Sequence, residues 1–243
     1  NVDVVNVGGT IALVEAAAAA DVRRFVHCST VGVHGDTGRT AANEQTPFAP
    51  PDSYCESKLE GELAARERFS SLGLPGVVLR PLGVHGPGDT RFLKLFRGLA
   101  RGRFVMIGSG DGLYHLTYID DLCDGVLLCA TKREAVGEAF ILGGDHATTL
   151  NEIVTEVARA VGGKPPRWHV PLAPVLAAGW LTETLCRPLR IEPPLHRRRV
   201  EFFSKQRAFD ISKARRVLGY APRVGLREGI ERTARAYREA GWL

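Results

Sequence analysis

Tyr54 and Lys58 stand four residues apart in the run Tyr54-Cys55-Glu56-Ser57-Lys58. On a helix, positions i and i+4 share a face, so the phenol and the ammonium point the same way. An ammonium beside a phenol favours the phenolate and lowers its pKa from about 10. A helix N-terminus close to Tyr54 acts in the same direction. A tyrosine tuned in this way can serve as general acid or base near neutral pH. The spacing alone is common, and a surface tyrosine beside a lysine stem would satisfy it equally. Context adds weight. Thr30 lies 24 residues before Tyr54 and directly follows the β-rich run Phe25–Ser29. Hydroxyls at the carboxyl end of a parallel strand sit where open α/β sheets build their sites. Thr30 can there hold a substrate oxygen beside the tyrosine. A second apolar run ends in Arg80-Pro81-Leu82-Gly83-Val84-His85-Gly86-Pro87-Gly88-Asp89. Its glycines allow backbone to approach a ligand closely, although a plain loop would use them too.

The elements needed to hold these groups can be read from periodicity and punctuation. Val2–Ala20 has helical composition, and Phe25–Ser29 is β-rich. Pro47, Pro50 and Pro51 break the chain before a helix over about Ser53–Ser71, with Ser53 and Glu56 at capping-box spacing. Val77-Val78-Leu79 is a short apolar run between Gly and Pro, as in a buried parallel strand. This alternation over the first 88 residues predicts a doubly wound α/β sheet. The pattern then becomes mixed. Helices are expected around Phe92–Arg101, from Asp120, over Leu150–Val161 and over Leu226–Ala240, with a strand at Phe140–Leu142. Phe104–Tyr118 reads as strand, turn and strand, reversed at Gly108–Gly112. Pro171–Cys186 is apolar and carries Trp180. Core packing accounts for it, and an approach to a membrane surface is the competing reading.

Composition narrows the class. The chain has 243 residues, 44% hydrophobic and 24% charged, which excludes a fibrous or wholly disordered protein. No uncharged apolar stretch reaches the ~20 residues that cross a bilayer. No signal peptide is recognisable, and a cytoplasmic location is expected. Five scattered cysteines (Cys28, Cys55, Cys123, Cys129, Cys186) without a CxxC pair argue against disulfides or zinc, and are expected to be small buried side chains. No metal site is expected. The net charge of +5 is concentrated in Arg187, Arg190, Arg197, Arg198, Arg199, Lys205 and Arg207, opposed only by Glu192 and Glu201. Such a cluster can meet an anionic ligand or lipid, or form a solvated face; nucleic acid is not expected, because no motif for it accompanies the charge.

In order along the chain, five pieces carry a family likeness: Asn6-Val7-Gly8-Gly9-Thr10, Ser29–Gly35, the Tyr54/Lys58 pair, Arg80–Asp89 and Tyr118-Ile119-Asp120-Asp121. Asp210-Ile211-Ser212-Lys213-Ala214 and Leu218-Gly219-Tyr220-Ala221-Pro222 follow. Together they resemble the extended short-chain dehydrogenase/reductases, the group of NAD-dependent epimerase/dehydratases and 3β-hydroxysteroid-dehydrogenase-like enzymes. The resemblance implies the carboxyl-terminal part of a Rossmann-type doubly wound parallel sheet with a smaller mixed α/β substrate domain. Residues 1–90 would be the remaining half of the dinucleotide-binding domain. Residues 91–243 would mainly bind substrate, with 115–145 packing back on the sheet. The GxxGxxG turn that opens such proteins does not occur here, so half a dinucleotide site is expected.

By the same resemblance, Thr30, Tyr54 and Lys58 take the catalytic positions on a secondary alcohol or ketone, with NAD or NADP as cofactor. Tyr54, Lys58, Pro81, Leu82, Gly83 and Val84 would meet the nicotinamide side. Asn6, His34, His85 and Arg91 would face substrate. Where the family carries tyrosine, this chain has His34 and His85, which keep a ring and a hydrogen-bonding tip. Nucleotide sugars and sterol- or terpenoid-like alcohols are both compatible, as is a homodimer. The alternative is a non-catalytic remnant or binding module that retains the fold.

Overall fold

A computed structural model describes residues 2–38, 40–189, 203 and 205–243, with the side chains of 185 and 187–189 left aside. Arg190 and Arg197–Arg199 of the basic cluster lie outside the described residues. The chain begins with a π-helical turn, Val4–Gly8, that runs into helix α1 (Gly9–Ala19). Strand β1 (Phe25–Cys28) is followed by a 3-10 turn, Val31–His34. Helix α2 (Ser53–Ser71) then leads to β2 (Gly76–Pro81) and β3 (Gly83–His85). The cap of α2 is one residue earlier than its capping-box spacing predicts. Asp52 is the N-cap, and its carboxylate accepts from Cys55 N at 2.9 Å. A charged acceptor satisfies an orphan N–H of the first turn at least as well as a serine hydroxyl.

Next come α3 (Leu93–Ala100), β4 (Met106–Ile107), β5 (Leu113–Tyr114) and β6 (Leu116–Tyr118). They are followed by α4 (Ile119–Thr131), β7 (Ala139–Leu142), β8 (Thr148–Thr149) and α5 (Leu150–Ala160). The series ends with β9 (His169–Val170), α6 (Leu172–Leu189), α7 (Ser212–Leu218) and α8 (Leu226–Glu239). Two compact units emerge from the contacts. The first takes the described parts of Asn1–Val84, His115–His146 and Ala208–Gly225. The second takes those of His85–Tyr114, Ala147–Arg207 and Leu226–Leu243.

In the first unit β1, β2 and β7 form a parallel sheet in the order β1-β2-β7. Val77, Val78, Leu79, Phe140, Ile141 and Leu142 are at most 2% exposed, as expected for strands covered on both faces. Each such side chain contributes about 1.5–3 kcal/mol of burial. The π-helical turn Val4–Gly8 and α2 approach closely because Gly61 has no side chain: a Cβ there would come 2.4 Å from the Asn6 carbonyl oxygen. The last segment of the unit is pinned by polar bonds. Asp121 accepts from Arg223 N at 2.9 Å and Val224 N at 3.0 Å, and Tyr220 Oη donates to the Gly143 carbonyl at 2.9 Å.

The second unit corrects two expectations. Phe104–Tyr118 is not a hairpin: β4 pairs in parallel with β9, and β5 pairs antiparallel with β8. The glycine-rich turn reverses the chain, but each arm finds a partner further along. Pro171–Cys186 is mostly helical, yet none of its described side chains is buried, and Trp180 and Leu181 are more than half exposed. Core packing does not account for that helix. The cysteine expectation holds for Cys55 and Cys129, which are buried, and fails for Cys28 and Cys123, which are exposed. Arg207, the last of the basic cluster, lies over the Tyr114 ring at 5.4 Å.

Candidate active site

Two contacts bring the first turns of α2 to the carboxyl end of β1. Lys58 Nζ donates to the Cys28 carbonyl at 2.6 Å, two residues before Thr30. Cys55 packs on Gly32, two residues after Thr30, where a Cβ would come 2.8 Å from its sulfur. The helix face bearing Tyr54 and Lys58 is thereby fixed over the strand end. Tyr54 is 49% exposed and sits in the first turn of α2. Thr30 is the N-cap of the 3-10 turn, its Oγ1 accepting from Gly32 N at 3.1 Å. That bond orients the hydroxyl while leaving its proton available to a ligand oxygen. Ser57, between the two, is buried and donates to the Tyr54 carbonyl at 2.9 Å. Asn6 donates to the Ser57 hydroxyl at 2.9 Å, so this candidate substrate contact braces the two helices.

Under this face lies a buried ionic layer. Arg80, on β2, meets Glu62, on α2, through Nε–Oε2 at 3.1 Å and Nη2–Oε1 at 2.5 Å, and the two side chains are 1% and 0% exposed. Arg80 also approaches His34 Nε2 at 3.1 Å, donates to the Glu44 carbonyl at 3.3 Å and covers the Phe48 ring at 4.9 Å. His34 therefore lies in the interior, between Arg80 and the rings of Phe48 and Phe209. Burial, then the Arg80 charge, lowers its pKa and keeps it neutral. Sequence spacing does not bring Glu62, Arg80, Glu44 or Ser57 forward as part of the site. The one available signal is an arginine adjoining an apolar strand.

His27 on β1 is 6% exposed, and its pKa is pushed down to about 4, first by burial and then by the Lys58 charge. The unfolded chain takes up this proton near pH 6.5 and the folded chain only near 4. Stability is therefore full above pH 6.5 and falls as pH drops toward 4. The expected loss is about 3 kcal/mol between pH 7 and pH 4 from this residue. Urea unfolding across that range should show the slope, and His27→Gln should reduce it by about that amount. An unchanged slope in the variant would refute the assignment.

The remaining candidate residues divide between the units. Pro81 and Gly83 are half-buried and Leu82 is buried, at the carboxyl end of β2; Val84 is half-buried. Leu82 N donates to the Leu142 carbonyl at 3.0 Å, which carries the sheet ladder to this edge. His85 is buried and belongs to the second unit. Arg91 is in that unit too, its guanidinium on Asp89 Oδ1 at 2.8 Å. Thr30, Tyr54, Lys58, Asn6 and Pro81–Val84 thus share the first unit.

Comparison with known proteins identifies the family. The model of the NAD dependent epimerase/dehydratase family matches residues 2–143. The sterol-4-alpha-carboxylate 3-dehydrogenase of Saccharomyces cerevisiae is 32% identical over 95% of this chain and 70% of its own length. The UDP-glucose 4-epimerase of Vibrio cholerae is 29% identical over 97% of this chain and 70% of its own. Among solved structures, the Bacillus cereus UDP-glucuronic acid 4-epimerase in complex with UDP-glucuronic acid and NAD superimposes with a TM-score of 0.75. It is 25% identical and is matched over 98% of this chain and 68% of its own. With its sheet order, its ordered motifs and this match, the chain belongs to the NAD-dependent epimerase/dehydratase family of extended short-chain dehydrogenase/reductases.

Proposed function

We propose that the chain interconverts a secondary alcohol and a ketone, with Tyr54 as the proton-transfer group, Lys58 beside it and Thr30 orienting the reacting oxygen. The observation that carries this reading is the Lys58–Cys28 bond, which fixes the Tyr54/Lys58 face at the end of a parallel strand. The donor set also suits a nicotinamide ribose. An ammonium has three N–H donors and the bond to Cys28 uses one. The buried hydroxyl of Ser29, 3% exposed, lies on the same strand end and turns to the Glu62 carboxylate. Bound NAD would supply the hydride acceptor or donor.

In oxidation, Tyr54 Oη takes the hydroxyl proton as the carbinol carbon gives up its hydride; in reduction Tyr54 returns the proton to the ketone oxygen. Lys58 favours the phenolate through its charge, and the N-terminus of α2 assists. Thr30 donates to the substrate oxygen. An epimerase would run the two half-reactions in succession on one carbon; a dehydrogenase would release the ketone. Lys58→Met removes a charge-assisted donor, which contributes roughly 1.5–3 kcal/mol. The expected fall in kcat/KM is about 10–100-fold, measured by nicotinamide absorbance with NAD or NADP and a panel of secondary alcohols. An active chain whose kcat/KM is unmoved by this variant would exclude the role given to Lys58. No turnover on any alcohol would favour the non-catalytic reading.

A further inference from the structure

We propose that the edge of the second unit formed by β4 and β9 docks onto anionic lipid bilayers, with Trp168 as its inserted side chain. The register places Met106 beside His169, so Val105 and Trp168 leave the strand pair from the same end. Trp168 is 82% exposed and Val105 50% exposed. Between them opens a cavity of about 350 Å³ whose apolar walls include Leu99, Phe104, Pro165 and Pro166. A large indole and a valine held in water at the mouth of an apolar cavity are unfavourable unless something covers them.

The segments that build this edge are held firmly. A Cβ on Gly163 would come 2.5 Å from the Leu99 carbonyl oxygen, so the loop after α5 lies against the end of α3. Gly108 N donates to the Val170 carbonyl at 2.9 Å and extends the strand pair. Trp168 is therefore presented from the position just before paired backbone.

Charge decides what covers the edge. Arg101, Arg103, Lys164 and Arg167 are exposed around the apolar tip. The two contributing stretches, 90–110 and 161–171, contain no Asp or Glu. An apolar tip ringed by cations matches a bilayer with acidic headgroups. Tryptophan belongs at the depth of the interface, and long basic side chains lie along apolar surface while their heads reach phosphate. Each basic residue near an anionic leaflet adds attraction that falls off within a Debye length. Nucleic acid is the competing polyanion. Valine and two prolines around a single indole offer it neither a row of stacking rings nor base-edge hydrogen bonds.

The test is flotation of the chain with vesicles of phosphatidylcholine alone and of phosphatidylcholine mixed with phosphatidylglycerol. Binding is expected to the mixed vesicles only, and to weaken as salt rises. Arg103→Gln with Arg167→Gln should weaken it about 30-fold. Trp168→Ser should lower it by tenfold or more at constant charge, with an unchanged melting curve because the indole is exposed. Residues 190–202 are also rich in arginine, so the variants and not the binding itself decide. Vesicle binding indifferent to both variants, equal binding to neutral vesicles, or binding to a single-stranded oligonucleotide without binding to vesicles would overturn the proposal.

Discussion

Tyr54→Phe is expected to lower turnover of a secondary alcohol by about 10²–10⁴-fold, the usual contribution of general acid–base catalysis. The substitution removes one oxygen and keeps the ring. Tyr54 is half exposed at the start of α2, so no core packing is lost. The helix cap is also untouched, since Asp52 supplies it to Cys55 N. Melting should move by no more than a surface substitution does, about 0.5 kcal/mol. The comparison needs three variants in one assay. Tyr54→Phe should lose kcat with little change in alcohol KM, because the phenol acts chiefly in the transition state. Thr30→Val should lose both, since a misplaced oxygen weakens binding and reaction together. Lys58→Met should fall between wild type and Tyr54→Phe. A folded Tyr54→Phe protein with wild-type turnover would end the catalytic assignment, while the fold and family would stand.

The site's short-range part was legible because its geometry is local. Four residues on one helix place Tyr54 and Lys58 on a face, and a β-rich run ending at Ser29 places Thr30 at a strand tip. The alternation of apolar runs and helices likewise announces a parallel sheet, and β1-β2-β7 is one. What stayed hidden depends on distant pairing. Asn6 and Ser57 are 51 residues apart, and Glu62 and Arg80 are 18 apart on different elements. Arg80 follows the apolar run Val77-Val78-Leu79, and only its pairing with Ile141 of β7 and its bond to Glu62 place it in the interior. The inward turn of the His34 ring toward that arginine depends on the same distant packing. The glycine-rich turn after β4 marks a reversal without saying which strands will pair. At the start of α2, Asp52 and Ser53 are adjacent residues that can both cap, and local rules do not choose between them.

Breaking the Glu62–Arg80 pair should have the largest effect on stability of any single polar substitution in the first unit. Both groups are out of water. Glu62→Gln keeps the shape but leaves the Arg80 guanidinium buried without a counter-charge, a change that costs about 3–5 kcal/mol. Replacing both partners, Glu62→Leu with Arg80→Met, removes the uncompensated charge and should recover much of the loss. Urea unfolding of the two single variants and the double would show this as strong coupling.

Acid should act like the single variant. Burial pushes the Glu62 carboxyl up, but the hydrogen bond and charge of Arg80, together with the Ser29 hydroxyl and the Arg66 charge, outweigh it and hold the group below the ordinary glutamate value. Its contribution is therefore complete above that ordinary value and is lost as pH falls through the lower folded one. In Glu62→Gln this part of the acid transition should be missing. The pair also locks α2, one turn beyond Lys58, onto β2, so the double variant should fold and still lose turnover. A Glu62→Gln protein that loses no more than a surface substitution does, about 0.5 kcal/mol, would mean that Arg80 finds compensation elsewhere. The ionic layer would then not be what holds the Tyr54 helix in place.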